Sequence, residues 1–239
     1  MGNKISLNII ICVVFGLFVV FSNIGYASEI SPRIILKVSK ASYSVDTKTR
    51  AGSGEVILYS NKIFFVTSAH VCRDDKDGVE ATNGVLHQIS TLRPYTDENN
   101  QHIGYDSSFA VILFYSEKND LAIYELLRKE FTNDVVELAE RAPQLGEKIF
   151  MCSSPHGITL VNSITIGTAS GFGRSVDNVT LDQTDAIADV GSSGGGVYNR
   201  TGKLIGIIDS ITQGNNTFTL YIPVKRLKHI LDVYIEKLN

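Results

Sequence analysis

The sequence Gly191-Ser192-Ser193-Gly194-Gly195-Gly196 places serines among glycines, between two apolar segments. Glycines after a serine leave the backbone without Cβ atoms, so the chain can turn sharply and present the hydroxyl group. Gly191 also allows the N–H groups of Gly191 and Ser193 to point at one spot, as in an oxyanion hole. A flexible linker has a similar composition, but it is not normally flanked by apolar strands such as Thr184–Val190 and Leu204–Ile208. We therefore predict a tight loop between buried strands, with Ser193 as a nucleophile.

A base and an acid for this serine are found upstream. Phe64–Cys72 is an apolar strand that ends in a turn of small residues carrying His70. Asp120 directly precedes the alternating, half-buried segment Leu121–Tyr124, which suits a carboxylate that orients an imidazole through its Nδ1–H. A single histidine is more often structural, and an aspartate before a strand often caps a loop. The remaining histidines have no comparable setting: His87, His102, His156 and His229.

These segments, in this order, resemble the chymotrypsin-fold serine endopeptidases, and in finer detail their HtrA-like branch. The similarity covers most of residues 50–225 and is to the peptidase domain alone, without a PDZ domain. The motifs that match are Gly52-Ser-Gly54, Thr67-Ser-Ala-His-Val71, Asp120-Leu-Ala122, Ser154-Pro-His-Gly157, Gln183-Thr-Asp-Ala186 and Gly191-Ser-Ser-Gly-Gly195.

Two positions depart from the family pattern. Ser192 stands where the family has Asn or Asp, and Gly196 stands where Pro or Ala is usual. In the trypsin branch an Asp at the first position pairs with a newly cut N-terminus. Ser192 has no charge, so activation of that kind is not expected here.

The expected fold is all-β, with two antiparallel six-stranded β-barrels and a C-terminal α-helix. We place the peptidase domain at 28–239, its barrels at about 32–136 and 146–223, and the terminal helix at about 224–238. Apolar residues recur at helical spacing after Pro223, which indicates a helix that packs against the second barrel. Among the smaller elements we predict strands at 34–38 and 159–161, a hairpin at 55–66 that turns at Ser60-Asn61, and loops at 73–83 and 92–105.

Residues 1–27 have the features of a signal peptide. Lys4 provides the positive end, Ile9–Phe21 is apolar apart from Gly16, and Gly25-Tyr26-Ala27 places small residues at the cleavage site. We expect cleavage and export to the periplasm or the medium. The alternative is an uncleaved membrane anchor, because the apolar run is close to the length that spans a bilayer.

Composition restricts the partners. The 239 residues are 44% apolar and 20% charged, with a net charge of −3 and no long basic run, which argues against nucleic acid. After cleavage only Cys72 and Cys152 remain, and their apolar contexts favour two thiols over a disulfide. The histidines lack metal-ligand spacing, so neither a metal nor another cofactor is expected.

The resemblance implies hydrolysis of peptide bonds in protein or peptide substrates through an acyl-enzyme, with Ser193, His70 and Asp120 as the triad. The alternative is a catalytically inactive binding protein that keeps the peptidase scaffold. In this fold the pocket for the residue before the scissile bond is built from the segments around the serine. Apolar lining would favour a small or medium aliphatic side chain, whereas the aspartates would favour Lys or Arg unless they only cap turns. The candidate pocket residues are Ile187, Ala188, Asp189, Ile208 and Asp209.

Overall fold

A computed structural model describes residues 29–47, 50–78, 90–96, 102–176, 179–212 and 218–237. The predicted signal peptide and residues 79–83 of the predicted loop at 73–83 lie outside these ranges. Residues 73–78 of that loop are the second part of a 3₁₀ helix, Ala69–Gly78. Residues 31–239 form one compact unit, and the fold below is that of this unit.

The described elements fall into two lobes and two helices. The first lobe contains β1 Ser42–Asp46, β2 Ala51–Tyr59, β3 Lys62–Ser68, β4 Ser90–Thr96, β5 His102–Ser108, β6 Ala110–Ser116, β7 Leu121–Leu126 and β8 Val136–Glu137. The second lobe contains β9 Lys148–Ser153, β10 Ser163–Val176, β11 Val179–Thr184, β12 Gly196–Asn199, β13 Leu204–Ile211 and β14 Thr219–Pro223. Helix α1 is Pro32–Ser39 and helix α2 is Val224–Glu236.

The first lobe is a sheet with the order β5-β4-β1-β2-β3-β7-β6, to which β8 adds by pairing with β2. Its two ends, β5 and β6, are separated in the chain by Phe109 alone. They amount to one bent strand, of which the first half pairs with β4 and the second half with β7. When β5 and β6 are counted as one strand and the short β8 is left out, the described strands of this sheet number six, although the expected barrel closure is seen among them only in the second lobe.

The second lobe is the predicted closed barrel, with the order β10-β11-β14-β13-β12-β9. Its interior is apolar and includes Ile149, Met151, Val197, Ile205 and Tyr221, each at most 1% exposed. Because alternate residues of a strand point to opposite faces, one face of each strand fills this core.

The predicted hairpin is present as β2 and β3, with Tyr59 paired to Lys62 across the turn. Ser60 and Asn61 both have positive φ angles, 47° and 58°. Two left-handed residues in succession give the turn twist that matches the twist of the flanking strands.

Two strand predictions are wrong, because both segments are helical. Residues 34–38 belong to helix α1, where Pro32 lies in the first turn, a position at which its fixed φ suits a helix. Ile34 and Val38, one turn apart on α1, both face Gly202 in the turn between β12 and β13. Residues 159–161 overlap a 3₁₀ helix at Gly157–Leu160.

The predicted loop at 92–105 is also wrong, since its two ends form β4 and β5. These strands pair antiparallel, with Pro94 opposite Tyr105. The polar composition misled the prediction, because strands near the end of a sheet need no continuous apolar face.

The predicted C-terminal helix is present as α2, which packs on β13 and β14. Leu227 and Leu231 are fully buried. The same helix reaches the first lobe, since the Tyr59 hydroxyl donates to Asp232 at 2.6 Å and Phe64 packs edge-on against Tyr234. Neither helix in the described ranges is long and apolar enough to cross a membrane.

Candidate active site

Strand pairing brings His70 and Asp120 together. Ser68, at the end of β3, is paired with Leu121, at the start of β7, so the residues just beyond this pair lie side by side. His70 is in the 3₁₀ helix Ala69–Gly78, and Asp120 has a left-handed φ of 48° before β7. The Ala69 N–H donates to the Asp120 carbonyl at 3.1 Å, which continues the pairing beyond the strands.

The Asp120 carboxylate binds His70 twice. The His70 backbone N–H donates to Oδ1 at 2.8 Å, and His70 Nδ1 lies 2.7 Å from Oδ2. Because an ionised carboxylate only accepts hydrogen bonds, Nδ1 carries the proton and Nε2 is left as an acceptor. The His70 side chain is 29% exposed and the Asp120 side chain is 12% exposed, so the imidazole is more accessible than the carboxylate that it contacts.

Ser193 lies in the loop between β11 and β12, and the conformation of this loop requires glycine. Gly191 and Gly194 have φ angles of 93° and 88°. A Cβ atom at Gly194 would lie 2.0 Å from the Ser53 carbonyl oxygen, and one at Gly191 would lie 2.8 Å from the His156 nitrogen. The glycines therefore allow the loop to approach neighbouring backbone as well as to turn.

The Ser193 hydroxyl lines the same cleft as His70 and Asp120. It donates to the main-chain carbonyl of Asp209 at 3.0 Å. No hydrogen bond joins Ser193 to His70 within the described residues. Rotation about χ1 changes the direction of this hydroxyl, and hydrogen bonds of a catalytic site often form only when substrate is present.

Gly191 and Ser193, whose N–H groups are the predicted oxyanion-hole donors, both line the cleft. The Val190 carbonyl accepts the His156 N–H at 2.7 Å. Because a trans peptide points its C=O and N–H in opposite directions, the Gly191 N–H points away from His156. In the described part of the chain, the N–H groups of Gly191 and Ser193 have no protein acceptor, and both residues line the cleft. They are two donors available to an incoming oxygen.

Ser192, the departure from the family pattern, is 1% exposed and hydrogen-bonded. Its hydroxyl accepts the Asp189 N–H at 3.1 Å and the Ser153 hydroxyl at 3.2 Å. The loop is thus fixed at this position by neutral groups, without the charge that a new N-terminus would bind.

The cleft has a volume of about 770 Å³. Four of the five predicted pocket residues line it, namely Ala188, Asp189, Ile208 and Asp209. Ile187 does not line it and is 69% exposed. Side chains alternate along this extended segment, so Ile187 points outward between Ala186 and Ala188, which point inward. Further apolar residues on the cleft are Val176, Val179, Leu181 and Ile211.

The two aspartates differ in surroundings. Asp189 accepts the Val190 N–H at 2.7 Å and lies 3.3 Å from His156 Nε2. These contacts, the first above all, lower its pKa. Burial raises the pKa of Asp209 to about 6, with a smaller raising effect from the neighbouring Asp120, and the Ser210 hydroxyl donates to Asp209 Oδ1 at 2.7 Å. Asp209 therefore faces the acid beside His70, and Asp189 lies at the rim.

Sequence reasoning missed Glu55, which is fully buried between the lobes behind the serine loop. The available signal was a carboxylate at the start of the apolar run Glu55–Tyr59, in a segment read only as a strand.

The fold and the site together indicate the protein family to which the chain belongs. The family described as Trypsin-like peptidase domain matches residues 52–207, and the chain belongs to this family. The resemblance found in the motifs is thereby confirmed.

The chain is also similar to individual proteins whose names contain DegP or HtrA. The chain is 28% identical over 193 residues to "Probable periplasmic serine endoprotease DegP-like" of Buchnera aphidicola, covering 77% of this chain and 36% of the relative. It is 28% identical over 163 residues to "Serine protease HtrA-like" of Staphylococcus aureus, covering 61% and 21%. The chain thus spans about a third of the first relative's length and less of the second. Among solved structures, the serine endoprotease from Yersinia pestis shares the fold, with a TM-score of 0.65 at 22% identity, covering 89% of this chain and 68% of that one.

Proposed function

We propose that this protein is a serine endopeptidase that hydrolyses peptide bonds with Ser193 as nucleophile, His70 as base and Asp120 as orienting acid. The observation that carries the proposal is the doubly hydrogen-bonded pair of His70 and Asp120, which shares one cleft with a serine from the other lobe. Membership of the trypsin-like peptidase family supports it.

The reaction follows from the protonation pattern. The Ser193 oxygen attacks the carbonyl carbon of the scissile peptide bond, and His70 Nε2 accepts the hydroxyl proton. Asp120 stabilises the resulting imidazolium through the Nδ1–H. The imidazolium then protonates the leaving amine, the peptide C–N bond breaks, and an acyl-enzyme remains on Ser193. Water, activated by the same histidine, hydrolyses this ester and regenerates the hydroxyl.

The negative charge of each tetrahedral intermediate is bound by the N–H groups of Gly191 and Ser193. The Gly191 N–H keeps its direction through the bond between the Val190 carbonyl and His156. Donors that already point at the oxyanion need no rearrangement during the reaction, and removal of one such donor typically costs about 100- to 1,000-fold in rate.

The substrates are proteins or peptides with a small or medium aliphatic residue before the scissile bond. Ala188, Ile208 and Ile211 give the cleft an apolar lining. Asp189 accepts the Val190 N–H and lies 3.3 Å from His156 Nε2, and burial disfavours a charge on Asp209. A lysine or arginine side chain would therefore gain little from either one.

The site of action is outside the cytoplasm. The signal-like residues 1–27 and the word "periplasmic" in the name of the Buchnera relative support export.

Labelling with a fluorophosphonate tests the proposal. We expect the wild-type protein to be modified at Ser193, and Ser193→Ala to remain unmodified. His70→Ala should react far more slowly while remaining folded by circular dichroism. If folded wild-type protein neither reacts nor cleaves an unfolded substrate, the enzyme proposal fails and the inactive binding protein is favoured.

A further inference from the structure

Glu55 is a buried carboxyl group that the proposed reaction does not use. It lies on β2, opposite Ser42 of β1 in the register, and is 0% exposed. Its neighbours along the strand, Val56 and Ile57, are also fully buried. A carboxyl group rarely occupies such a place without hydrogen-bonding partners, because its desolvation is costly.

The partners of Glu55 come from both lobes. Oε1 accepts the Gly196 N–H at 2.7 Å and the Ser42 hydroxyl at 2.9 Å. Oε2 is hydrogen-bonded to the Tyr198 hydroxyl at 2.5 Å. Ser42 belongs to the first lobe, whereas Gly196 and Tyr198 belong to β12, the strand that directly follows the serine loop. Glu55 thus joins the first lobe to the chain just beyond Ser193.

The same strand also holds the other end of the loop. The Ser53 N–H donates to the Ser193 carbonyl at 2.8 Å, and the Ser53 hydroxyl donates to the Gly191 carbonyl at 2.8 Å. Residues two apart on a strand lie on the same face, so the side chains of Ser53 and Glu55 both point toward the serine loop. β2 therefore makes four hydrogen bonds with the segment from Gly191 to Tyr198, three through the side chains of Ser53 and Glu55 and one through the main chain of Ser53.

Among the described residues, the groups around Glu55 do not provide an opposite charge. Burial raises the pKa of its carboxyl group to about 8, which its hydrogen bonds only partly oppose. The titratable groups that face it are the Tyr198 hydroxyl and the Cys152 thiol, and burial raises the pKa of both. Burial therefore favours the neutral form of Glu55, which can donate one hydrogen bond and accept others. An apolar residue would cost less here, so the polar contacts need another explanation.

We propose that Glu55 is a positioning residue of the peptidase reaction, whose bonds to Gly196 and Tyr198 fix the serine segment of the second lobe against the lobe that carries His70. The inference rests on the proposed function, because it concerns the placement of Ser193 relative to its base. Misplacement of reacting groups by about 1 Å can slow a reaction by about 100-fold.

The chain offers a matched set of variants. Glu55→Leu removes the polar contacts at similar volume, and Tyr198→Phe removes only the contact to Oε2. Glu55→Gln imitates the neutral acid and should restore function. Ser42→Ala is the control, because it removes a hydrogen bond to the same carboxyl group that stays within the first lobe.

Two readouts are measured on folded protein, well below the unfolding temperature of each variant. The first is kcat and KM on a peptide substrate, with wild type and Ser193→Ala as references. The second is hydrogen–deuterium exchange of the peptide that covers residues 191–199, which does not depend on catalysis.

We expect Glu55→Leu to lower kcat by about 10-fold or more, with KM within about 3-fold, and to accelerate exchange over 191–199 by about 10-fold. Tyr198→Phe should act in the same direction, while Glu55→Gln and Ser42→Ala stay near wild type in both readouts. If Glu55→Leu does not fold, the inference is tested by the kcat and the exchange rate of Tyr198→Phe alone.

Wild-type kcat and exchange in folded Glu55→Leu, or in Tyr198→Phe when the first variant is unfolded, would overturn the inference. So would an equal loss in Ser42→Ala, which would make the effect one of general stability. If wild type itself fails to cleave, the proposed function falls. The exchange comparison then still decides whether Glu55 holds the segment.

Discussion

The two lobes present their reactive groups to the cleft by different means. His70 and Asp120 of the first lobe continue the pairing of β3 with β7, and their own side chains complete the contact. Ser193 of the second lobe lies outside any strand, in a loop with positive φ angles that is bound by the other lobe. The pair is thus fixed by local register, whereas the nucleophile depends on glycines and on contacts across the lobes. We expect the second arrangement to be the more sensitive to substitution.

The largest effect is expected from the nucleophile itself. Ser193→Ala should lower kcat/KM by at least about 1,000-fold, because it removes the hydroxyl that receives the acyl group. The free energy of unfolding should change by only about 1 kcal/mol, since the side chain makes one hydrogen bond, to the Asp209 carbonyl. Turnover assays and urea unfolding measure both quantities, and residual turnover near wild type would exclude Ser193 as nucleophile.

A glycine substitution tests the loop without touching a reactive side chain. Gly194→Ala should destabilise the protein by about 3 kcal/mol and abolish activity, because φ is 88° and the new Cβ would meet the Ser53 carbonyl at 2.0 Å. Gly146→Ala is the matched control, since its φ is 79° with nothing within 4 Å of the new Cβ. This control should cost about 1 kcal/mol and keep activity.

The free energy of unfolding of the two variants, measured with urea, distinguishes the cost of the close contact with Ser53 from the cost of a positive φ angle. Equal destabilisation by both substitutions would show that φ alone matters, and that the contact of the loop with β2 does not.

Glu55 makes the junction between the lobes sensitive to pH. Its pKa is about 8 in the folded protein against 4.5 in an exposed carboxyl group. A raised folded-state pKa contributes stability that is complete below pH 4.5 and is lost as pH rises through about 8. Relative to Glu55→Gln, which cannot ionise, wild type should therefore lose on the order of a few kcal/mol over this interval.

Urea unfolding of both proteins at pH 5, 6, 7 and 8 measures this difference directly. A difference that stays constant, or that grows in favour of wild type as pH rises, would mean that the folded-state pKa of Glu55 is not raised.

His70, Asp120 and Ser193 could be proposed from the sequence because the residues around each one form a pattern that is local in the chain, and all three line one cleft. Glu55 and Ser53 could not be assigned in the same way, since their partners lie about 140 residues away. Their significance arises only when the lobes meet. Ile187 was expected to line the pocket but lies outside it. Inward and outward side chains alternate along this segment, and because Ala186 points into the barrel core, Ile187 points outward.

The fold shows the same limit. The hairpin at Ser60-Asn61 and helix α2 have strong local signals, a turn pair and a helical apolar stripe, and both were predicted. Helix α1 was misread because a short apolar run does not distinguish strand from helix, and its packing partner Gly202 is remote in sequence.

The smallest expected effect concerns substrate preference. Its measurement compares the influence of the apolar lining of the cleft with that of the nearby aspartates. Replacing Ala by Val before the scissile bond should improve kcat/KM by about 5-fold, because the added methyl groups bury apolar area worth about 1 kcal/mol against residues such as Ile208 and Ile211. Asp189→Asn should leave this preference unchanged, since Asp189 is already bound to Val190 and His156. Sequencing the peptides released from an unfolded protein mixture measures both. Cleavage after Lys or Arg that is lost in Asp189→Asn would show that this carboxylate turns into the pocket, and the aliphatic assignment would then be wrong.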